Sequence, residues 1–111
     1  MILAAGAGQR LGVITKKIPK PMIEIQGKPV LEHNLEMCRE ADIYEIYINL
    51  HHLPDLIRNY FGDGSKYGVN ITYSFEPKLL GTAGALLPFK ESLKDSSFFV
   101  IYGDNYLCFD L

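Results

Sequence analysis

The chain has 111 residues, 48% of them hydrophobic and 22% charged, which suits one soluble domain with a real core rather than a disordered segment. Eleven Lys and Arg stand against 13 Asp and Glu, a net charge of −2 with no long basic run, so a nucleic-acid partner is disfavoured. No apolar run reaches bilayer length and no basic n-region leads a hydrophobic h-region, so no membrane partner and a cytoplasmic location are expected.

In chain order, residues 1–5 are an apolar run stopped by glycine and read as a buried strand. Residues 6–21 read as loop, with Pro19 and Pro21 excluding regular helix at its end. Residues 22–25 read as a short strand closed by a turn at Gln26, Gly27 and Lys28. A helix follows Pro29, with Leu31, Leu35 and Cys38 on one face. Residues 43–50, "IYEIYINL", read as a strand. Leu53, Leu56, Ile57, Tyr60 and Phe61 then fall at helical spacing, ended by Gly62.

Val69, Ile71, Tyr73 and Phe75 alternate with polar residues, the pattern of a strand wet on one face and near a sheet edge. A helix is expected from about Thr82, interrupted or restarted by Pro88. Residues 98–102, "FFVIY", read as a central strand running into Gly103, Asp104 and Asn105. Cys38 and Cys108 form no metal or CxxC pattern and read as reduced structural thiols.

This alternation predicts an α/β fold of three layers, a mostly parallel sheet with helices on both faces. Ligands in such folds collect at the carboxyl ends of the strands, where this chain places its glycines, His51, His52, Glu76 and Asp104. The two histidines are adjacent, so on an extended strand they face opposite ways and chelate one metal poorly; structural roles are expected for them.

The opening "MILAAGAGQRLG" needs to be distinguished from known phosphate loops. A dinucleotide fingerprint has G-x-G-x-x-G running into a helix, but Gly6, Gly8 and Gly12 place the third glycine one residue late. The following "VITKKIPKP" ends in helix breakers, so NAD is disfavoured. A Walker A loop needs Gly-Lys-Ser/Thr at a spacing that neither Gly6 nor Gly8 offers. What remains is a glycine loop with Arg10 and a proline-stiffened Lys20. Backbone amides, a guanidinium fork and an ammonium all suit phosphate oxygens. Asp104, at the end of an apolar strand, suits a hard cation such as Mg²⁺. These are parts of a phosphoryl- or nucleotidyl-transfer site.

At this point "LAAGAGQRL", "PKPM", "GKPVLEH", "EPKLLGTAGAL" and "GDN" occur in the order, and at about the separations, seen in sugar-1-phosphate nucleotidyltransferases. The chain resembles that family throughout its length, and within it the mannose-1-phosphate guanylyltransferase branch. The resemblance implies a Rossmann-like nucleotide-diphospho-sugar transferase fold, here truncated. It implies transfer of a nucleotidyl group from a nucleoside triphosphate to a sugar 1-phosphate, with Mg²⁺ as cofactor.

By the same resemblance, Leu3, Ala4, Ala5 and Gly6 border base and ribose, while Gly8, Gln9 and Arg10 wrap the triphosphate. Lys20 binds phosphate at the reacting end, Glu76, Gly81 and Thr82 belong to the base-reading segment, and Asp104 holds the metal. Arg10, Lys20 and Asp104 are thus the expected catalytic residues. Family members begin a few residues earlier and run on past the point matching Leu111. Residues 1–111 are therefore expected to be the nucleotide-binding part, with the sugar-binding part absent; Asp110 does not match the second metal ligand. A nucleotide-binding module without turnover is the competing expectation. The sequence is compatible with a homo-oligomer.

Overall fold

A computed structural model of the chain describes residues 1–6 and 16–106; Gly8, Gln9, Arg10, Cys108 and Asp110 lie outside them. The elements run β1 (Ile2–Leu3), β2 (Glu24–Ile25), β3 (Lys28–Pro29), α1 (Val30–Glu40) and β4 (Glu45–Leu50). They continue with α2 (Pro54–Phe61), β5 (Asn70–Phe75), α3 (Gly81–Ala85), α4 (Lys90–Leu93) and β6 (Ile101–Tyr102). The main sheet is parallel, in the order β5-β4-β1-β6, with Ile2 opposite Ile48 on one side and Ile101 on the other.

Strand alternation sends neighbouring side chains into two separate cores. Ile46, Ile48 and Leu50 join Leu31, Leu35 and Cys38 of α1 and Ile57 and Phe61 of α2. On the opposite face Leu3 and Tyr47 pack against Met1, Ala85, Phe89 and Leu93. Helices therefore cover both faces, as the chain order implied. Burial pushes the Cys38 thiol up, so it stays a protonated core group. Among the described residues, no helix is long and apolar enough to cross a membrane.

Local chemistry explains the boundaries. Pro29 enters α1 with φ −56, and the helix stops where Asp42 takes φ 60 and the Ile43 amide donates back to the Cys38 carbonyl. Gln26 and Gly27 both adopt positive φ, which a two-residue hairpin demands, and this pairs β2 with β3. The turn lies where the sequence places it, and β3 adds a second strand beyond it. Pro88 sits in a 3-10 turn (Leu87–Phe89) that separates α3 from α4, the expected restart.

Two expectations need correction. Among the described residues the 98–102 run is not a central strand: β6 covers Ile101–Tyr102 alone and is outermost of the strands described. Among the described residues β6 has a ladder partner on one side only, so Phe98, Phe99 (54% exposed) and Val100 are left uncovered. The Phe99 carbonyl instead accepts from the Met1 ammonium at 3.0 Å. The apolar stripe of α2 is also narrower than its spacing suggests. Leu53 precedes the helix with φ 47, and Leu56 and Tyr60 are exposed, leaving Ile57 and Phe61 as its buried residues.

Candidate functional site

Two cavities compete for the role. The larger, about 600 Å³, lies toward the amino ends of the strands and includes Asp42, Glu45 and the exposed Phe98 and Phe99 in its walls. Among the described residues neither lysine nor arginine lines it, its Met1 ammonium is engaged by the Phe99 carbonyl, and Asp42 and Glu45 repel an anion. The smaller, about 240 Å³, lies at the carboxyl ends and is walled by Leu3, Ala4, Ala5, Gly6, Lys20, Glu76, Gly81, Thr82 and Asp104. Every site residue expected from the sequence that falls within the described residues lines this one cleft. Pro21, Asn49, Leu79 and Tyr102 line it as well.

The sheet delivers these residues. β1 is followed by Ala4 and Ala5, small enough to leave the backbone open to close approach, and then by Gly6. β6 runs beside β1 and turns at Gly103, whose amide donates to the Leu3 carbonyl at 2.8 Å. A Cβ at Gly103 would lie 3.0 Å from the Leu3 carbonyl oxygen and 3.1 Å from Ile2 Cγ2, so glycine is what lets Asp104 come this close to β1. From α1, the buried Asn34 amide donates to the Asn105 carbonyl at 3.1 Å and secures the same turn.

Lys20 opens the 3-10 turn Lys20–Met22, clamped by the buried Pro19 and Pro21 and by the Met22 amide donating to the Pro19 carbonyl at 2.9 Å. Its ammonium stands 2.8 Å from Asp104 Oδ2, both side chains partly open to the cleft. The pair and the strand exits line the same cavity. Also in its lining, Gly81 takes φ +75 to start α3, with Thr82 after it. Left-handed backbone at that point favours glycine.

Glu76 occupies a different environment. It is 2% exposed, and its carboxylate accepts from Asn49 Nδ2 at 2.9 Å and from the Leu80 amide at 3.2 Å. Asn49 also accepts from the Ala4 amide at 2.9 Å. Sequence reasoning missed Asn49, and the signal was an amide side chain inside the apolar "YINL". His51 Nδ1 contacts the Glu76 carbonyl at 2.6 Å, a structural role as expected, and His33 Nε2 contacts the Ile25 carbonyl at 2.6 Å.

Asp104 fits one ligand of a divalent metal: a partly exposed carboxylate in a cleft with room for phosphate oxygens, the environment Mg²⁺ favours. Among the described residues no group of three or more His, Cys, Asp or Glu gathers there.

The nucleotidyl transferase family matches residues 1–111. UTP–glucose-1-phosphate uridylyltransferase of Synechocystis sp. is 44% identical over 122 residues, taking in 100% of this chain and 31% of that protein. Mannose-1-phosphate guanyltransferase 2 of Candida glabrata is 36% identical over 110 residues, 97% of this chain and 30% of that one. A solved Bacillus anthracis structure holding sucrose, assigned as a glucose-1-phosphate thymidylyltransferase, superposes with a TM-score of 0.89 at 32% identity. There 98% of this chain is covered and 45% of the other, so the chain spans from under a third to just under half the length of these relatives. Since the family match runs the whole 111 residues and the solved relative shares the fold, the chain belongs to the nucleotidyl transferase family.

Proposed function

We propose that residues 1–111 are the nucleotide-binding part of a nucleotidyltransferase domain that makes a nucleotide sugar and pyrophosphate from a nucleoside triphosphate and a sugar 1-phosphate. The observation that supports this reading is the gathering, in one cleft, of the strand-exit backbone at residues 4–6, the Lys20–Asp104 pair and the wall at Leu79, Gly81 and Thr82.

An oxygen of the sugar phosphate attacks the α-phosphorus in line, the bond from that phosphorus to the bridging oxygen breaks, and pyrophosphate leaves with its electrons. The attacking oxygen is already anionic, so no general base is required. The work left to the protein is to hold two anions in line and offset their repulsion. Lys20 serves the phosphates as a mobile point charge, and Arg10, by family position, the departing pyrophosphate. Asp104 would hold Mg²⁺, which would supply neutralisation of phosphate charge. The backbone of Leu3, Ala4, Ala5 and Gly6, with Gly81 and Thr82 opposite, grips base and ribose; Gly8 and Gln9 belong to the triphosphate loop. Sugar-binding residues come from outside these 111, and the reaction belongs to the cytoplasm.

The "EPKLLGTAGAL" segment favours guanylyl transfer to mannose 1-phosphate. A second reading, uridylyl transfer to glucose 1-phosphate, draws on the higher identity to the Synechocystis protein, 44% against 36%. Pyrophosphate release with Mg²⁺, by GTP plus mannose 1-phosphate against UTP plus glucose 1-phosphate, separates the two. Triphosphate binding without release identifies a binding module that needs the rest of the site. Failure to bind any triphosphate removes both readings.

A further inference from the structure

Asn49 and Glu76 form a buried polar relay beneath the cleft. Asn49 sits near the end of β4, between Leu3 of β1 and Ser74 of β5 in the sheet register, and is 4% exposed. Its Oδ1 accepts the Ala4 amide at 2.9 Å, which fixes its orientation, because the Nδ2 group must then face Glu76 Oε1, 2.9 Å away. Glu76 Oε2 takes the Leu80 amide at 3.2 Å, while the Glu76 amide donates to the Leu50 carbonyl at 2.7 Å. Two of the chain's buried polar side chains are thus spent joining the strand exit at Ala4 to the loop that leads into α3. Between these anchors Leu79 and Leu80 are exposed and have little packing to place them.

We propose that Asn49 is a positioning residue for nucleotide recognition. Through its own amide and through Glu76, which holds the Leu80 amide, it sets the gap between the Ala4 backbone and the wall of Leu79 and Gly81 that receives the base. This rests on the nucleotide reading above and adds to it a division of labour: the relay serves the base, Lys20 serves the phosphates. Both oxygens of Glu76 have donors in the fold, so Glu76 works by holding the wall rather than by reading the base.

The test compares two ligands on the same protein: GTP or UTP, whichever the native chain binds better, and inorganic tripolyphosphate, which has no base. Asn49→Ala is expected to weaken the nucleoside triphosphate about 10-fold, the scale of one lost buried hydrogen bond, and to leave tripolyphosphate within about 2-fold. Glu76→Gln is the second variant should Asn49→Ala fail to fold. Its side-chain amide has one donor and one acceptor end and cannot satisfy both neighbours, so the same split is expected. Amide exchange at Leu80 should quicken in either variant while that at Ile48 holds.

Equal loss for both ligands, meaning a merely structural residue, overturns the proposal. So does no loss for either, or Leu80 exchange that stays at its native rate. A native chain that binds tripolyphosphate as tightly as the nucleoside triphosphate overturns the nucleotide reading itself, a result separable from the variants' behaviour.

Discussion

Lys20→Ala will weaken triphosphate binding by about 10- to 100-fold, the range expected when a charge-assisted contact to phosphate is lost. Asp104→Asn will act in the opposite direction when divalent metal is withheld, strengthening binding by about 3-fold. The reason lies in the 2.8 Å pair. With both groups partly exposed, the ion pair adds at most about 1 kcal/mol to folding, so neither variant should unfold the chain. In the ligand-free cleft, however, Asp104 occupies the cation that phosphate needs. Removing the carboxylate frees Lys20 and removes a repulsion. With Mg²⁺ present the ordering reverses, because the native chain gains from the metal and Asp104→Asn does not. Titration of both variants in EDTA and in Mg²⁺ reads this directly. A parallel loss in EDTA would mean that Lys20 and Asp104 do not compete for the same charge.

The second large effect concerns stability. Ile57→Ala should cost about 2–5 kcal/mol, while Leu56→Ala, one residue away on the same predicted stripe, should stay within about 0.5 kcal/mol. Ile57 is 0% exposed and packs in the core under the sheet; Leu56 is 41% exposed. Denaturant midpoints at unchanged slope measure both. A similar cost for the two would restore the broad helical face that the spacing suggested.

That pair also marks where the sequence is legible. Spacing alone fits Leu56 and Ile57 equally, because i, i+3, i+4 describes a face without saying how much of it meets a neighbour. α1 was readable since proline opens it and Leu31, Leu35 and Cys38 make a narrow stripe, all three buried. β5 was readable since its alternation belongs to a strand at the rim, where it lies. The run at residues 98–102 was not, because burial of a continuous apolar strand depends on partners that its own residues cannot specify. Topology pointed to the carboxyl edge, where parallel strands end together, but Gly81 and Thr82 were named by the family resemblance, and Lys20 by that resemblance together with its bracketing prolines. His51 and His52 at that same edge do not line the cleft. The Asn49 relay stayed hidden because its meaning comes from two partners, 45 and 27 residues away.

The central claim is that this cleft, at the carboxyl edge of the sheet, holds a nucleoside triphosphate. Titrating ¹⁵N-labelled chain with GTP or UTP and Mg²⁺ while following backbone amides tests it most directly. The largest shifts should fall at Ala4, Ala5, Gly6, Lys20, Leu80, Gly81, Thr82 and Asp104. Unmoved amides there, or shifts centred on Ser96, Phe98 and Phe99 around the larger cavity, would contradict it.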